Sequence, residues 1–199
     1  MELDDTVNSL VGATLADTYV VDRVVGVGAG GTVYAARHQR LNREVAVKVL
    51  RNPKPQALAR FQREIETISR FRSRHIAFVT DCNSLADGTP FFVMELLDGE
   101  DLGVRLARVG KLSLQEARRM CEQVATALAE AHAHGVVHRD LKPENICICK
   151  SDREEVVKVI DFGISKVQAL SPMTVDGQLI GTPHYMSPEQ LATENDKVD

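Results

Sequence analysis

From Tyr19 to about Leu50 the hydrophobic positions come in short runs: Tyr19-Val20-Val21, then Thr32-Val33-Tyr34-Ala35-Ala36 beyond a glycine cluster, then Glu44-Val45-Ala46-Val47-Lys48-Val49-Leu50 after a polar turn. Runs of this length, rich in β-branched residues and separated by polar turns, predict antiparallel strands. The period then changes. Leu58, Phe61, Ile65 and Ile68 recur at steps of 3, 4 and 3, which is one face of a helix. Phe91-Phe92-Val93-Met94 reads as a further strand, ended by Asp98-Gly99. Beyond Gly99 the pattern is helical. Ser113 with Glu116 forms a capping box, the apolar positions Leu114, Ala117, Cys121, Val124, Leu128 and Ala131 follow, and Gly135 supplies a stop. Short apolar pieces come next at Val136-Val137, Ile146-Cys147-Ile148 and Val156 to Ile160. Residues 164–182 form a long irregular stretch rich in Ser, Thr, Gly and Pro, and segments of that kind are usually functional or mobile.

The elements therefore fall into an α+β chain. A lead-in covers 1–18, a strand-rich first lobe with one main helix 19–94, a hinge 95–99 and a helix-rich second lobe 100–199. Composition narrows the class. With 199 residues, 44% hydrophobic and 26% charged, the chain has the balance of a soluble globular protein. A net charge of −4 gives no general pull toward nucleic acid or anionic membrane. No apolar run approaches the ~18 residues of a membrane span. The start, Met1-Glu2-Leu3-Asp4-Asp5, is acidic where a secretory leader would be basic and then apolar, so the expected location is cytoplasmic.

The four cysteines, Cys82, Cys121, Cys147 and Cys149, make no C-x-x-C pair. Cys147 and Cys149, two apart, would be neighbours on one face of a strand. They read as small apolar residues in a reducing compartment, with a disulfide or metal role as the weaker alternative.

Four short motifs carry chemistry. Gly26-Val27-Gly28-Ala29-Gly30-Gly31-Thr32-Val33 has the letters of a dinucleotide-binding turn, but a β-rich stretch follows it where that turn needs a helix. No G-K-[ST] is present, so a P-loop fails too. What remains is a glycine-rich hairpin whose backbone N–H groups can approach phosphate oxygens, with a plain hairpin as the bland alternative. Lys48 sits in an apolar strand on the face of Ala46, where an ammonium needs a partner or an anion. Glu64 lies within the apolar face of the following helix, so the two charges read as each other's partners, or else as solvated groups at an amphipathic boundary. The remaining motifs are His138-Arg139-Asp140-Leu141-Lys142-Pro143-Glu144-Asn145 and Asp161-Phe162-Gly163.

In this order, with V-A-V-K at Lys48 and G-T-P-x-Y-M-S-P-E ending at Glu189, the motifs resemble the protein kinase superfamily. The wording is most similar to bacterial, eukaryotic-type serine/threonine kinases, and the likeness covers about Tyr19 to Asp199. The resemblance implies a bilobal kinase-like fold with a β-rich N-lobe and an incomplete helical C-lobe. It also implies a transferase that moves the ATP γ-phosphate to Ser/Thr hydroxyls of protein substrates in signalling, with Mg²⁺.

Site residues follow from the same likeness. Gly26, Gly28 and Gly31, with Val25 and Val27, would cover the phosphates. Val33, Ala46 and Cys147 would enclose adenine. Met94 would be the gatekeeper, and Glu95 to Leu97 would hydrogen-bond adenine through their backbone. Lys48, positioned by Glu64, would hold the α/β-phosphates. Asp140 would accept or orient the hydroxyl proton, Lys142 would steady the γ-phosphate, and Asn145 and Asp161 would bind Mg²⁺. Thr182 would contact Asp140 and Lys142, and Thr174 is the expected regulatory phosphosite, its phosphate pairing with Arg139.

Departures from the family pattern bear on the outcome. Ser187-Pro188-Glu189 replaces A-P-E, and Ala29 stands at the glycine-loop tip. The sequence stops at Asp199, ahead of the helices that in the family floor the catalytic loop. A catalytically inactive nucleotide-binding or scaffold protein, associating through an exposed C-lobe surface, is therefore the alternative reading. A small-molecule kinase of related fold is opposed by the G-T-P-x-Y-M-S-P-E segment.

Overall fold

The computed structural model describes residues 9–28, 30–51, 65–151, 154–162 and 183–188. The chain separates into two compact units, Met1–Ser69 with Phe78–Leu97, and Arg70–Ala77 with Asp98–Asp199.

The first unit carries a six-stranded antiparallel sheet of β1 (Thr14–Leu15), β2 (Tyr19–Gly28), β3 (Gly31–His38), β4 (Arg43–Leu50), β5 (Val79–Ser84) and β6 (Pro90–Glu95), in the spatial order β1-β2-β3-β4-β6-β5. The strands expected around Tyr19, Val33, Val47 and Phe92 all form. β5 was not legible. Its residues Val-Thr-Asp-Cys-Asn-Ser alternate weakly, and it is recruited as an exposed edge by pairing with β6.

Period 2 along β4 sorts its side chains. Val45, Val47 and Val49 join Tyr19, Val21, Tyr34, Phe91 and Val93 in the core. Ala46 and Lys48 take the other face. Burying a Val or Phe side chain contributes roughly 1.5–3 kcal/mol, so this face is a large source of the unit's cohesion. Of the helix expected over Leu58 to Ile68, residues 65–68 are helical and bury Ile65 and Ile68. Leu58, Phe61 and Glu64 lie outside the described residues.

The second unit pairs β7 (Gly99–Asp101), β8 (Ile146–Cys149) and β9 (Val156–Val159) in a three-stranded antiparallel sheet. Helix α1 (Leu102–Val109) starts at Asp101, whose carboxylate accepts the Val104 N–H at 2.9 Å. Helix α2 (Leu114–Ala133) opens on the expected box: Ser113 Oγ accepts the Glu116 N–H and Glu116 Oε2 accepts the Ser113 N–H. It closes where Gly135 was expected to stop it, with the His134 and Gly135 N–H groups donating back to carbonyls of its last turn. The Gln123 amide oxygen of α2 accepts the Val157 N–H of β9 at 2.9 Å.

Residues 70–77 go with this second unit, whereas the sequence reading keeps them in the first lobe. The reason is local: the Ala77 N–H donates to the Val159 carbonyl and the Val159 N–H to the His75 carbonyl. No described helix is long and apolar enough to cross a membrane.

Candidate active site

In the first unit the proposed nucleotide residues share one face of the sheet. β3 and β4 set Val33 opposite Lys48 and Ala35 opposite Ala46. β4 and β6 set Lys48 opposite Phe92 and Ala46 opposite Met94. Directly paired residues project to the same side, so Val33, Ala46, Lys48 and Met94 form a contiguous patch turned away from the core. Lys48 is only 7% exposed. A cation in such a setting has its charge focused by apolar walls, which is what an anion-binding lysine requires.

The hairpin that follows β2 has glycines of two kinds. Gly31 has φ +140°, and a Cβ there would lie 2.0 Å from the Val49 carbonyl oxygen, so the fold itself demands glycine. At Gly26 and Gly28 an added Cβ would meet no protein atom within 4 Å. The space beside them is open, and bare backbone there suits a polyphosphate. Val25 and Val27, about half exposed, flank it. Ala29 lies outside the described residues. The Glu95 N–H donates to the Phe78 carbonyl, and Glu95 Oε1 accepts the Phe78 N–H. The group Glu95 can offer a purine is therefore its carbonyl. Leu97 ends the unit.

In the second unit the loop over 138–145 is organised around Asp140. The Asn145 Nδ2 donates to the Asp140 carbonyl at 2.7 Å and to its Oδ2 at 3.2 Å, while the Lys142 ammonium lies 3.0 Å from the same Oδ2. Asp140 is thus fixed from both sides yet 40% exposed at its side chain. Asn145 is buried, and with its nitrogen committed to Asp140 its amide oxygen is the atom it can present to a cation. Oxygen donors from Asn145 and Asp161 are the hard ligands that Mg²⁺ prefers, so the residues fit the metal that the family implies.

His138, 2% exposed, braces the loop from behind. Its Nδ1 accepts the Asp140 N–H and its Nε2 lies 2.9 Å from the Ile160 carbonyl. Accepting at Nδ1 leaves Nε2 as the donor, so the ring is the neutral Nε2–H tautomer. Burial holds its pKa below the usual histidine value, partly opposed by the Ile160 carbonyl and the Asp161 and Asp140 carboxylates. Phe162 packs on His138 at 4.7 Å between ring centroids, and Phe71 meets Phe162 edge-on at 5.9 Å.

Arg139 and Asp161 have φ of +65° and +63°. The left-handed region costs a non-glycine residue roughly 1–3 kcal/mol, and here it coincides with two of the motifs. Sequence reading misses Phe71 and the backbone clamp at 75–77, because Phe71 lies in an Arg-rich stretch with no periodicity. The β8–β9 pairing places Cys147 opposite Lys158. Glu64, Thr174 and Thr182 lie outside the described residues.

The protein kinase domain family matches residues 19–199, and the chain belongs to that family. Serine/threonine-protein kinase PknA of Mycobacterium tuberculosis is 42% identical over 187 residues, 90% of this chain and 43% of that protein. Serine/threonine-protein kinase pkn3 of Myxococcus xanthus is 40% identical over 198 residues, covering 96% of this chain and 36% of that protein. Among solved structures, the kinase domain of M. tuberculosis PknI is similar with a TM-score of 0.69 and 34% identity, over 77% of this chain and 62% of that one. The recognised family and the kinase fold both hold. The chain spans less than half the length of these curated relatives.

Proposed function

We propose that the chain carries the catalytic machinery of a serine/threonine protein kinase, using ATP and Mg²⁺ to phosphorylate protein hydroxyls in a reducing, cytoplasmic setting. The observation that carries this reading is Asp140 held between Asn145 and Lys142 on the loop that His138 supports. In the transfer, the substrate hydroxyl oxygen bonds to the γ-phosphorus as the bond to the bridging oxygen of ADP breaks, and Asp140 takes the hydroxyl proton. Lys142 neutralises charge on the transferred group, and Lys48 holds the α/β-phosphates beneath Gly26, Gly28 and Gly31, flanked by Val25 and Val27. Mg²⁺, when bound by Asn145 and Asp161, would supply further charge neutralisation. Val33, Ala46, Met94 and Cys147 would enclose adenine, with backbone groups of Glu95 and Leu97 at its edge. Glu64 would position Lys48, Thr182 would contact Asp140 and Lys142, and Thr174 would take the regulatory phosphate. Phosphoryl transfer asks mainly for alignment and electrostatics, which this set supplies.

Transfer of radiolabelled phosphate from ATP to a generic Ser/Thr protein substrate tests the reading. Asp140→Asn should lower turnover at least ~100-fold, the scale of general-base catalysis, with ATP binding kept. Lys48→Met should lower turnover at least ~10-fold, about 1.4 kcal/mol of barrier. Unchanged turnover in either folded variant would defeat the assignment. The exposed apolar positions of α2 favour a second reading, a nucleotide-binding scaffold, and ATP binding without transfer in the unaltered chain would select it.

A further inference from the structure

We propose that Phe71 is a positioning residue for Asp161: its ring closes the packing around Phe162 and so fixes the backbone that aims the Asp161 carboxylate. The inference rests on the proposed kinase reading, in which Asp161 helps to bind Mg²⁺, and every contact it uses lies within the second unit. Asp161 needs support of this kind. Its φ of +63° is in the left-handed region, which a non-glycine residue keeps only where its surroundings over-determine it. On its N-terminal side the determination is by hydrogen bonds. The Ile160 N–H donates to the Asn145 carbonyl at 3.0 Å, and the Ile160 carbonyl lies 2.9 Å from Nε2 of His138.

On its C-terminal side the determination is by packing. Phe162 is buried, with the His138 ring 4.7 Å away at 58° and the Phe71 ring 5.9 Å away at 76°. Both separations fall in the ~4.5–7 Å range of favourable ring pairs. His138 belongs to the same loop as Asp140 and Asn145, whereas Phe71 comes from far upstream and is itself fixed. Its ring is buried and meets the His134 ring at 5.4 Å, just past the end of α2. The Arg72 N–H beside it donates to Glu130 Oε1 of α2 at 3.0 Å, and the bonds of His75 and Ala77 to Val159 hold the far end of the segment. Phe71 is thus a rigid stop rather than a ring that would follow Phe162 if Phe162 moved. Removing it leaves a cavity beside Phe162, and a partly unfilled site lets the neighbouring side chain and backbone relax. Asp161 would then leave its left-handed turn for part of the time. Asp140 would be spared, because Asn145 and Lys142 hold its oxygens.

The test uses the full chain and a fluorescent, non-hydrolysable ATP analogue, titrated with Mg²⁺. Phe71→Ala should raise the Mg²⁺ concentration needed for half-maximal tightening of analogue binding at least fivefold, with binding in EDTA unchanged within twofold. Turnover at limiting Mg²⁺ should fall at least tenfold and recover as Mg²⁺ is raised. Phe71→Leu, which refills most of the space, should bring the Mg²⁺ midpoint back to within twofold of the unaltered chain. A residue that merely stabilised the fold would weaken analogue binding equally with and without Mg²⁺, and that result, or an unmoved midpoint in folded Phe71→Ala, would overturn the role. A further measurement needs no variant to fold. Coupling between two sites is reciprocal, so adding Mg²⁺ to the analogue-bound unaltered chain should slow amide exchange at 71–72 as well as at 160–162. Protection confined to 160–162 would overturn the role. Asp161→Asn separates this inference from the reading beneath it. A shifted midpoint in Asp161→Asn with none in Phe71→Ala would strike Phe71 alone. An unmoved midpoint in Asp161→Asn, or an unaltered chain that binds no analogue, would defeat the kinase reading and this role with it.

Discussion

The sheet of the first unit and the long helix of the second handle apolar residues in opposite ways. In the sheet, Val21, Val45, Val47, Phe91 and Val93 are all at most 2% exposed. In α2, twenty residues long, only Ala127 and Ala131 are buried, and Leu114 at its start is 88% exposed. The same contrast separates the settings of Lys48 and Asp140. Lys48 is held by a strand wedged between two others. Asp140 is held by one amide, one ammonium and a buried histidine. Packing secures Lys48 in the first unit, and polar contacts secure Asp140 in the second.

The contrast breaks most sharply under a large-to-small substitution in the sheet. Phe91→Ala should cost ~3–5 kcal/mol, the range for deleting a fully buried aromatic. Chemical denaturation with the slope unchanged would measure it. A loss below ~1 kcal/mol would show that the sheet is not the stable half.

A smaller effect comes from pH, and it has opposite sign for the two units. His138 is held neutral by burial, so its pKa in the folded chain lies below the unfolded value of about 6.5. Its contribution is complete above that pH and fades as pH falls through ~6.5 toward the folded pKa, because the unfolded chain then binds the extra proton. Tyr19 behaves conversely. Burial first, then its hydrogen bond to Asp81 at 2.7 Å and the Asp81 charge, raises the phenol above its ordinary range. Its contribution is complete below ~10 and fades as pH rises beyond that, since the unfolded chain releases the proton more readily. Melting temperature against pH should therefore have an acid limb flattened by His138→Phe and an alkaline limb flattened by Tyr19→Phe. If each substitution flattened the other's limb, the assignment of the two groups would be wrong.

The strands around Tyr19, Val33, Val47 and Phe92 were legible because alternation of apolar and polar residues is a local property of the chain. The capping box at Ser113 was legible for the same reason. β5 was not, since its strand state comes from β6 as a neighbour. Nor was the clamp at 75–77, a set of backbone bonds to Val159 that no side-chain pattern encodes. For the site, the types of Lys48, Asp140, Asn145 and Asp161 could be read from motifs. The direction of the Asn145 amide could not, because it follows from where the Asp140 oxygens stand.

The smallest effect separates two adjacent residues of α2. Ser113 caps the helix, and Ser113→Ala should cost ~1 kcal/mol by leaving the Glu116 N–H without its oxygen. Leu114, the apolar neighbour, should matter less to stability than the polar cap beside it. At 88% exposure it has almost no burial to lose, so Leu114→Gln should change stability by no more than ~0.5 kcal/mol. The substitution acts on association instead. An exposed leucine at the head of a helix with only two buried positions adds to an apolar patch, and patches of that kind bind hydrophobic dyes and one another. Leu114→Gln should lower dye fluorescence and light scattering with the melting curve unmoved, while Ser113→Ala should move the melting curve and leave the dye signal alone. A Leu114→Gln variant that lost stability as Ser113→Ala does would mean that α2 is packed at its N-terminal end, and the contrast between the two units would fail there.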